Sequence, residues 1–270
     1  MTKILRWAAA LMACAALMAC GGGGDARAKA PLGSLPPNPI TNAFFGAFGG
    51  QPASGFVLDD GAFWLLYGNS TFSGGVVPAG LIYGPAGLSG GLGGINGQGQ
   101  LNAFEYTGNG APPATVSTVL AFDGTASTDP TALGGFFARY VEQWLNNQFN
   151  GDFHFNAMAQ SDYVFQQPAD ISTIMGGWAG LAIGSVPTTI LIGGNGAVSG
   201  VVNDCVVSGQ ATPSRSDANY FDLLANLTCA QGVFQVQGVI FSYGAGGAAN
   251  LFIGATAIDH SAAFGFMGNR

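Results

Sequence analysis

Phe221-Asp222-Leu223-Leu224-Ala225-Asn226-Leu227-Thr228 decides the fold class of this 270-residue chain. Phe221, Leu223, Ala225 and Leu227 alternate with Asp222, Leu224, Asn226 and Thr228. Successive side chains on a strand point to opposite faces, so this period of two predicts a strand with one face buried and one wetter.

Similar short runs lie on both sides of it. Residues 177–183, 188–192, 198–202, 205–211, 220–228, 233–243, 250–258 and 262–267 are eight candidate strands. Asn195-Gly196 separates two of them and predicts a hairpin, because both residues readily take the positive φ that a type I′ turn needs at its two central positions. Connections this short favour an antiparallel meander, since parallel strands need crossovers of a dozen residues or more. Eight antiparallel strands can close on themselves, which removes exposed edges. The expected fold class is all-β: an antiparallel meander in two modules, the second (171–270) a closed eight-stranded barrel.

The first module, 43–166, carries fewer clear strands: 76–83, 101–106, 115–122 and 153–158, with a hairpin at Asp60-Gly61. Its Gly-rich joins suggest a more open sheet beside the barrel. Asn96-Gly97, Asn109-Gly110, Asp123-Gly124 and Asn150-Gly151 are further turn signals. Phe136, Phe137, Tyr140, Val141, Trp144 and Leu145 recur at helical spacing, and predict one amphipathic helix near 134–147. Asp129-Pro130 would start it and Asn146-Asn147 would end it.

Composition narrows the function classes. Gly is 45 of 270 residues and charged residues are 8%, against ~7% and ~25% in ordinary domains. There is no Gly-x-y period, and an apolar content of 48% is too high for a disordered chain. From residue 20 onward, five cations (Arg27, Lys29, Arg139, Arg215, Arg270) face 14 acids. That balance argues against nucleic acid as a partner and against docking on anionic headgroups, both of which need clustered Lys and Arg.

The amino end reads as an export signal. Lys3 and Arg6 precede a 13-residue apolar run, 7–19, too short for a bilayer that needs ~20. Residues 1–19 are read as a signal peptide. The Gly- and Pro-rich stretch 20–42 is a flexible tether. In an exported chain, Cys205 and Cys229 are expected to pair as a disulfide. They are equidistant from residue 217, inside the turn-rich joint 213–219. A hairpin centred there sets them opposite each other, at a Cα separation a disulfide tolerates. No metal site is expected, because the only histidines, His154 and His260, are not spaced as in zinc motifs.

No catalytic constellation stands out. Asp259-His260-Ser261 names a hydrolase triad, but neighbours on a strand point opposite ways and cannot form the relay. His260 is expected at a strand end near the surface. His154 sits between Phe153 and Phe155, whose rings share one face while the imidazole takes the other. Asp59 and Asp60 are adjacent acids, the second with a turn role. No glycine run is followed by the Lys-Ser/Thr of a phosphate loop, and residues 90–94 lack the helix signal of a dinucleotide site. No cofactor is implied. Asn69-Ser70-Thr71 and Asn226-Leu227-Thr228 match a glycosylation pattern only.

Leu17-Met18-Ala19-Cys20 resembles a bacterial lipobox. That resemblance implies acyl chains on Cys20, removal of the preceding peptide and membrane attachment through lipid. Several acyl chains anchor far better than one. Gly177-Trp178-Ala179-Gly180 resembles the opening of lipocalin-type barrels, in which a Trp plugs the closed end and a basic residue from the last strand packs on it. Arg270 holds that place here. With Cys20, residues 21–24, Trp178, Gly196 and the strands between 177 and 267, the chain resembles Gly-rich surface lipoproteins of Gram-negative bacteria, among them the transferrin-binding-protein-like and factor-H-binding-type lipoproteins. Gly21, not Asp, follows the cysteine, which in that group implies outer-membrane sorting. The resemblance carries over no partner-binding residue.

The expectation is a non-enzymatic, lipid-anchored envelope lipoprotein that binds an unknown protein or a small apolar ligand. The rival readings are a structural envelope component, a hydrolase with an unrecognised site, and a membrane-spanning barrel.

Overall fold

The computed structural model describes residues 41–72, 75–85, 98–107, 114–121, 135–144, 147–202, 204–215, 218–245 and 248–270. Cys20, the signal and most of the tether lie outside them, as do Asn96-Gly97, Asn109-Gly110, Asp123-Gly124, Asp129-Pro130 and residues 90–94.

The first barrel is built from β1 (Asn42–Phe48), β2 (Gln51–Val57), β3 (Phe63–Tyr67), β4 (Thr71–Phe72), β5 (Gly75–Val76), β6 (Gly80–Gly84), β7 (Gln98–Tyr106), β8 (Ala114–Ala121), β9 (Gly135–Trp144) and β10 (Asn147–Ala157). β4 and β5 pair only with each other. The other eight are all antiparallel neighbours in the order β1-β10-β9-β8-β7-β6-β3-β2, and β2 returns to β1. The sheet expected to be more open thus also returns on itself, through unequal joints. β9 and β10 pair over ten residues, β6 and β7 over three.

The helix expected near 134–147 is a correction. Of those residues, Gly135–Trp144 form β9 and Asn147 begins β10. Clustered aromatic and β-branched residues suit a strand as well as a helix. Here pairing with β8 and β10 satisfies the backbone on both sides. Asn150-Gly151 is not a turn either. It lies inside β10, where Gly151 sits opposite Tyr140. A Cβ on Gly151 would enter the Tyr140 ring.

The second barrel contains β11 (Gly176–Ala182), β12 (Val186–Ile192), β13 (Ala197–Val202), β14 (Cys205–Arg215), β15 (Ala218–Cys229), β16 (Gly232–Ala245), β17 (Ala248–Ala257) and β18 (Ala263–Asn269). They follow one another in chain order, and β18 closes on β11. The alternation read from 221–228 is the observed one: Phe221, Leu223, Ala225 and Leu227 are buried and their neighbours exposed.

The two hairpin signals fold as hairpins through a different turn. Gly61 and Gly196 take φ of 81° and 84°, whereas Asp60 and Asn195 keep negative φ. Each acidic or amide side chain instead accepts a hydrogen bond from the residue two ahead, Ala62 at 2.9 Å and Ala197 at 3.1 Å. Only the glycine needs the left-handed conformation, which fits a type I turn with a glycine bulge.

Between the barrels, 158–170 forms a strap that ends in the short helix α1 (Ile171–Ile174), capped by Asp170. Tyr163 donates to the Asn219 carbonyl at 2.7 Å, and the Asn219 amide donates to the Val164 carbonyl at 3.0 Å. The barrels meet along an aromatic seam. Phe56 of β2 stacks on Phe241 of β16 with ring centroids 4.4 Å apart, and meets Tyr220 edge-on at 5.4 Å. Asp59 and Arg215 form an ion pair across the same seam. Residues of β15–β18 that face this seam are buried on their outer side as well, so β17 is buried along most of its length.

Candidate functional site

Among the described residues, the inward side chains of both barrels pack together. Phe44, Phe63, Leu65 and Phe155 belong to one continuous core inside the first. Trp178, Ile190, Phe221, Ile253 and Phe266 belong to another inside the second. Each of these is 5% exposed or less.

Trp178 and Arg270 meet where β11 pairs with β18. Trp178 is fully buried, and its indole N–H donates to the Ile174 carbonyl at 2.7 Å. The Arg270 guanidinium lies 4.3 Å above the indole ring. It also donates to the carbonyls of Met175 and, at 3.4 Å, Thr173. Cys205 and Cys229 are joined in a disulfide between the first residue of β14 and the last of β15, with Cα atoms 4.2 Å apart. The register from Val206↔Thr228 to Pro213↔Phe221 is centred on residue 217.

The other singled-out residues serve the fold. Asp259, His260 and Ser261 lie in the β17–β18 turn. Asp259 accepts from the Ser261 hydroxyl at 2.6 Å, which holds its carboxyl below the usual range. His260 adopts φ of 59° and stacks on Phe104 of the first barrel at 3.8 Å. The serine is thus bonded to the aspartate, and the imidazole is packed on a ring. His154 is exposed on the outside of β10, while Phe153 and Phe155 point inward. Among the described residues, no three His, Cys, Asp or Glu side chains converge as a metal would require.

With the interiors occupied, the sheet exteriors and loops are what face a partner. Eight large apolar side chains are exposed among the described residues, and five of them share one face: Leu191, Val201, Val206, Leu224 and Val233. They lie on the outer side of β12–β16. Val201 sits opposite Val206, and Thr228 separates Val206 from Val233. The outward positions between them are Thr, Ser, Gln and Asn. Among the described residues, Asp222 is the one charged side chain on this face before the strands reach the seam, where Arg215 pairs with Asp59. Depletion of charge with apolar groups at the centre marks the core of protein interfaces. Hydroxyls and amides such as Ser208 and Asn226 on that face would be unsatisfied in hydrocarbon. β14 to β17 run 10 to 14 residues, long enough to span, so the case against a membrane-spanning barrel rests on the polar exterior and apolar interior, not on strand length.

A second arrangement escaped the sequence reading. The chain has two glutamates, Glu105 and Glu142, and both turn into the first barrel at the end where β1 passes into β2. Glu105 is 4% exposed. Tyr67 donates to its Oε1. Burial pushes the Glu105 carboxyl up to about 8; the Tyr67 bond opposes this, and the Glu142 charge adds to it. Burial also raises the Tyr67 phenol well above its ordinary value and takes Tyr140 up to about 12.

An open groove of about 350 Å³ lies beside the strap, lined by Gln160, Asp162, Tyr163, Asn219, Tyr243 and Arg270 among others. Its Arg270 is already engaged by the indole and two carbonyls. Comparison with known protein families, curated proteins and solved structures returns no match.

Proposed function

We propose that this chain is a lipid-anchored envelope lipoprotein, held at the outer membrane by acyl chains on Cys20, whose paired barrels act as a non-enzymatic binding module. The observation that carries the reading is the β12–β16 exterior, a five-strand face with one charge and most of the exposed large apolar side chains. The filled interiors favour a protein partner on that face over a small apolar ligand inside.

The test has two arms. Mass spectrometry of the protein from a Gram-negative host should find the amino end at an acylated Cys20, and Cys20→Ser should release the chain from the membrane. Cross-linking in intact envelopes should capture a partner protein, and the Val206→Lys/Leu224→Lys double variant should lose it while melting as the parent does. An unacylated amino end removes the anchor. Capture unchanged by the double variant removes the face. A single partner at fixed stoichiometry in every envelope preparation would favour the structural-component reading.

A further inference from the structure

β9 and β10 outrun the neighbouring strand of the first barrel. Their ladder begins at Asn147↔Trp144, whereas β10 pairs with β1 only from Phe153↔Phe48 to Ala157↔Phe44. One further bond follows, in which the Gly49 N–H donates to the Asp152 carbonyl at 3.0 Å. Residues 147–151 therefore have β9 on one side and, among the described residues, no strand on the other. Antiparallel strands turn the main-chain groups of alternate residues toward each neighbour. Asp152 bonds toward β1, and so does Met158, whose N–H donates to the Ala43 carbonyl. The even-numbered residues of β10 thus face the β1 side, and Gln148 and Asn150 present their N–H and C=O groups to the open edge. Gln148, Phe149 and Asn150 are all exposed. Sheet edges are ordinarily blunted by Lys, Pro or a bulge. Asn147-Gln148-Phe149-Asn150-Gly151 has no charge and no proline, and its pairing with β9 keeps one register.

We propose that this edge pairs with the same edge of a second copy of the chain, antiparallel about a two-fold axis through Phe149. Gln148 of one copy then faces Asn150 of the other, and each such pair exchanges both of its main-chain hydrogen bonds. The two Phe149 residues meet at the closer, non-hydrogen-bonded spacing of ~4.5 Å between Cα atoms, where cross-strand aromatic pairs stabilise a sheet. Asp152 falls beyond the end of the other copy's β10, so no two acids oppose each other along the ladder. The turn beside it is Gly49-Gly50, exposed and without side chains, which leaves space for the incoming hairpin. An extended segment of another protein is selected by side-chain pockets beside the edge it joins, and residues 148–150 stand exposed rather than walled in. β9 is already paired with β8, so the association closes at two copies. A ladder this short makes a small interface, and the dimer is weak and concentration-dependent.

Engineered cysteines read the register in the full chain carrying Cys14→Ser and Cys20→Ser, whose Cys205 and Cys229 are already paired. On mild oxidation Phe149→Cys should form a disulfide dimer, and Gln148→Cys about tenfold less of it, since only position 149 meets itself at a spacing a disulfide tolerates. Adding Asn150→Pro removes an edge N–H and no bond to β9, so it should cut the Phe149→Cys dimer about tenfold and leave the melting temperature unchanged. In the unaltered chain, amide protection at Gln148 and Asn150 should rise with protein concentration. A photo-cross-linker at position 149 in intact cells should give a species of twice the chain mass. Equal dimer yields from positions 148 and 149 overturn the register. Protection independent of concentration, or a Phe149→Cys chain that stays monomeric, overturns the pairing. Capture of a different protein at position 149 overturns the second copy as occupant.

Discussion

Arg270, the last residue described, lies over the indole of Trp178, one of the first residues of the barrel it closes. The cation is 4.3 Å from the ring centroid, and the two carbonyls that hold it come from the strap side of β11. The barrel is thus locked at the point where its first and last strands meet.

Removing Arg270 should be felt as lost stability. Cation–π contacts contribute ~0.5–2 kcal/mol depending on desolvation. Arg270→Ala should cost ~1 kcal/mol by urea denaturation. Trp178→Ala, which empties a fully buried site, should cost ~3–5 kcal/mol. An Arg270→Ala variant with an unchanged midpoint would show that the plug needs no clasp.

The disulfide should behave as a crosslink between neighbouring strand ends. The cysteines are separated by 24 residues, and chain-entropy reasoning assigns such a loop ~3 kcal/mol. The Cys205→Ser/Cys229→Ser pair should lose about that much, and reductant should lower the parent's melting temperature while leaving the double variant where it was. Peptide mapping under non-reducing conditions should recover both cysteines in one crosslinked species.

Glycines opposite rings should be the residues least open to replacement. Gly80 faces Tyr67 and Gly151 faces Tyr140 in the pairing register, and in both cases a Cβ would overlap the ring. Gly151→Ala should cost ~1–3 kcal/mol through forced repacking. Gly177 has open space where a Cβ would stand, with no atom within 4 Å, and no positive φ. It should accept alanine within ~0.5 kcal/mol. The contrast is read by thermal denaturation of the two variants side by side.

Glu105 should make stability fall with pH. Its carboxyl is raised from an ordinary 4.5 to about 8 in the folded chain, so the folded state holds a proton that the unfolded state releases. The corresponding stabilisation is complete below pH 4.5 and is lost as pH rises to about 8. Glu105→Gln should flatten that fall, and above pH 8 it should be more stable than the parent. Parallel pH–melting curves for the two proteins would remove Glu105 as the source.

The second barrel was largely legible because its information is local. β12 and β15 carry their own alternation, the β12–β13 turn its own Asn-Gly, and the spacing of Cys205 and Cys229 set their register. The first barrel was less legible for the opposite reason. The apolar residues of 136–144 satisfy helical spacing, and only pairing with β8 and β10 makes them a strand. Asn150-Gly151 carries the letters of a turn, yet the glycine is there to clear Tyr140 from the neighbouring strand. Glu105 and Glu142 stand 37 positions apart with no motif around either. Their one visible signal was scarcity, two glutamates among 14 acids, and scarcity says nothing of proximity until the strands are placed.

β1 is the strand by which the chain enters the first barrel, yet it is not an edge. It pairs over seven residues with β2 and over five with β10, and Met158 adds a further bond to the Ala43 carbonyl at 2.9 Å. Tension drawn through the amino end, of the kind a tether transmits, therefore meets two ladders side by side. Such a strand must slide rather than peel, and rupture by sliding breaks many bonds together. The mechanical weak point of the molecule then lies away from β1.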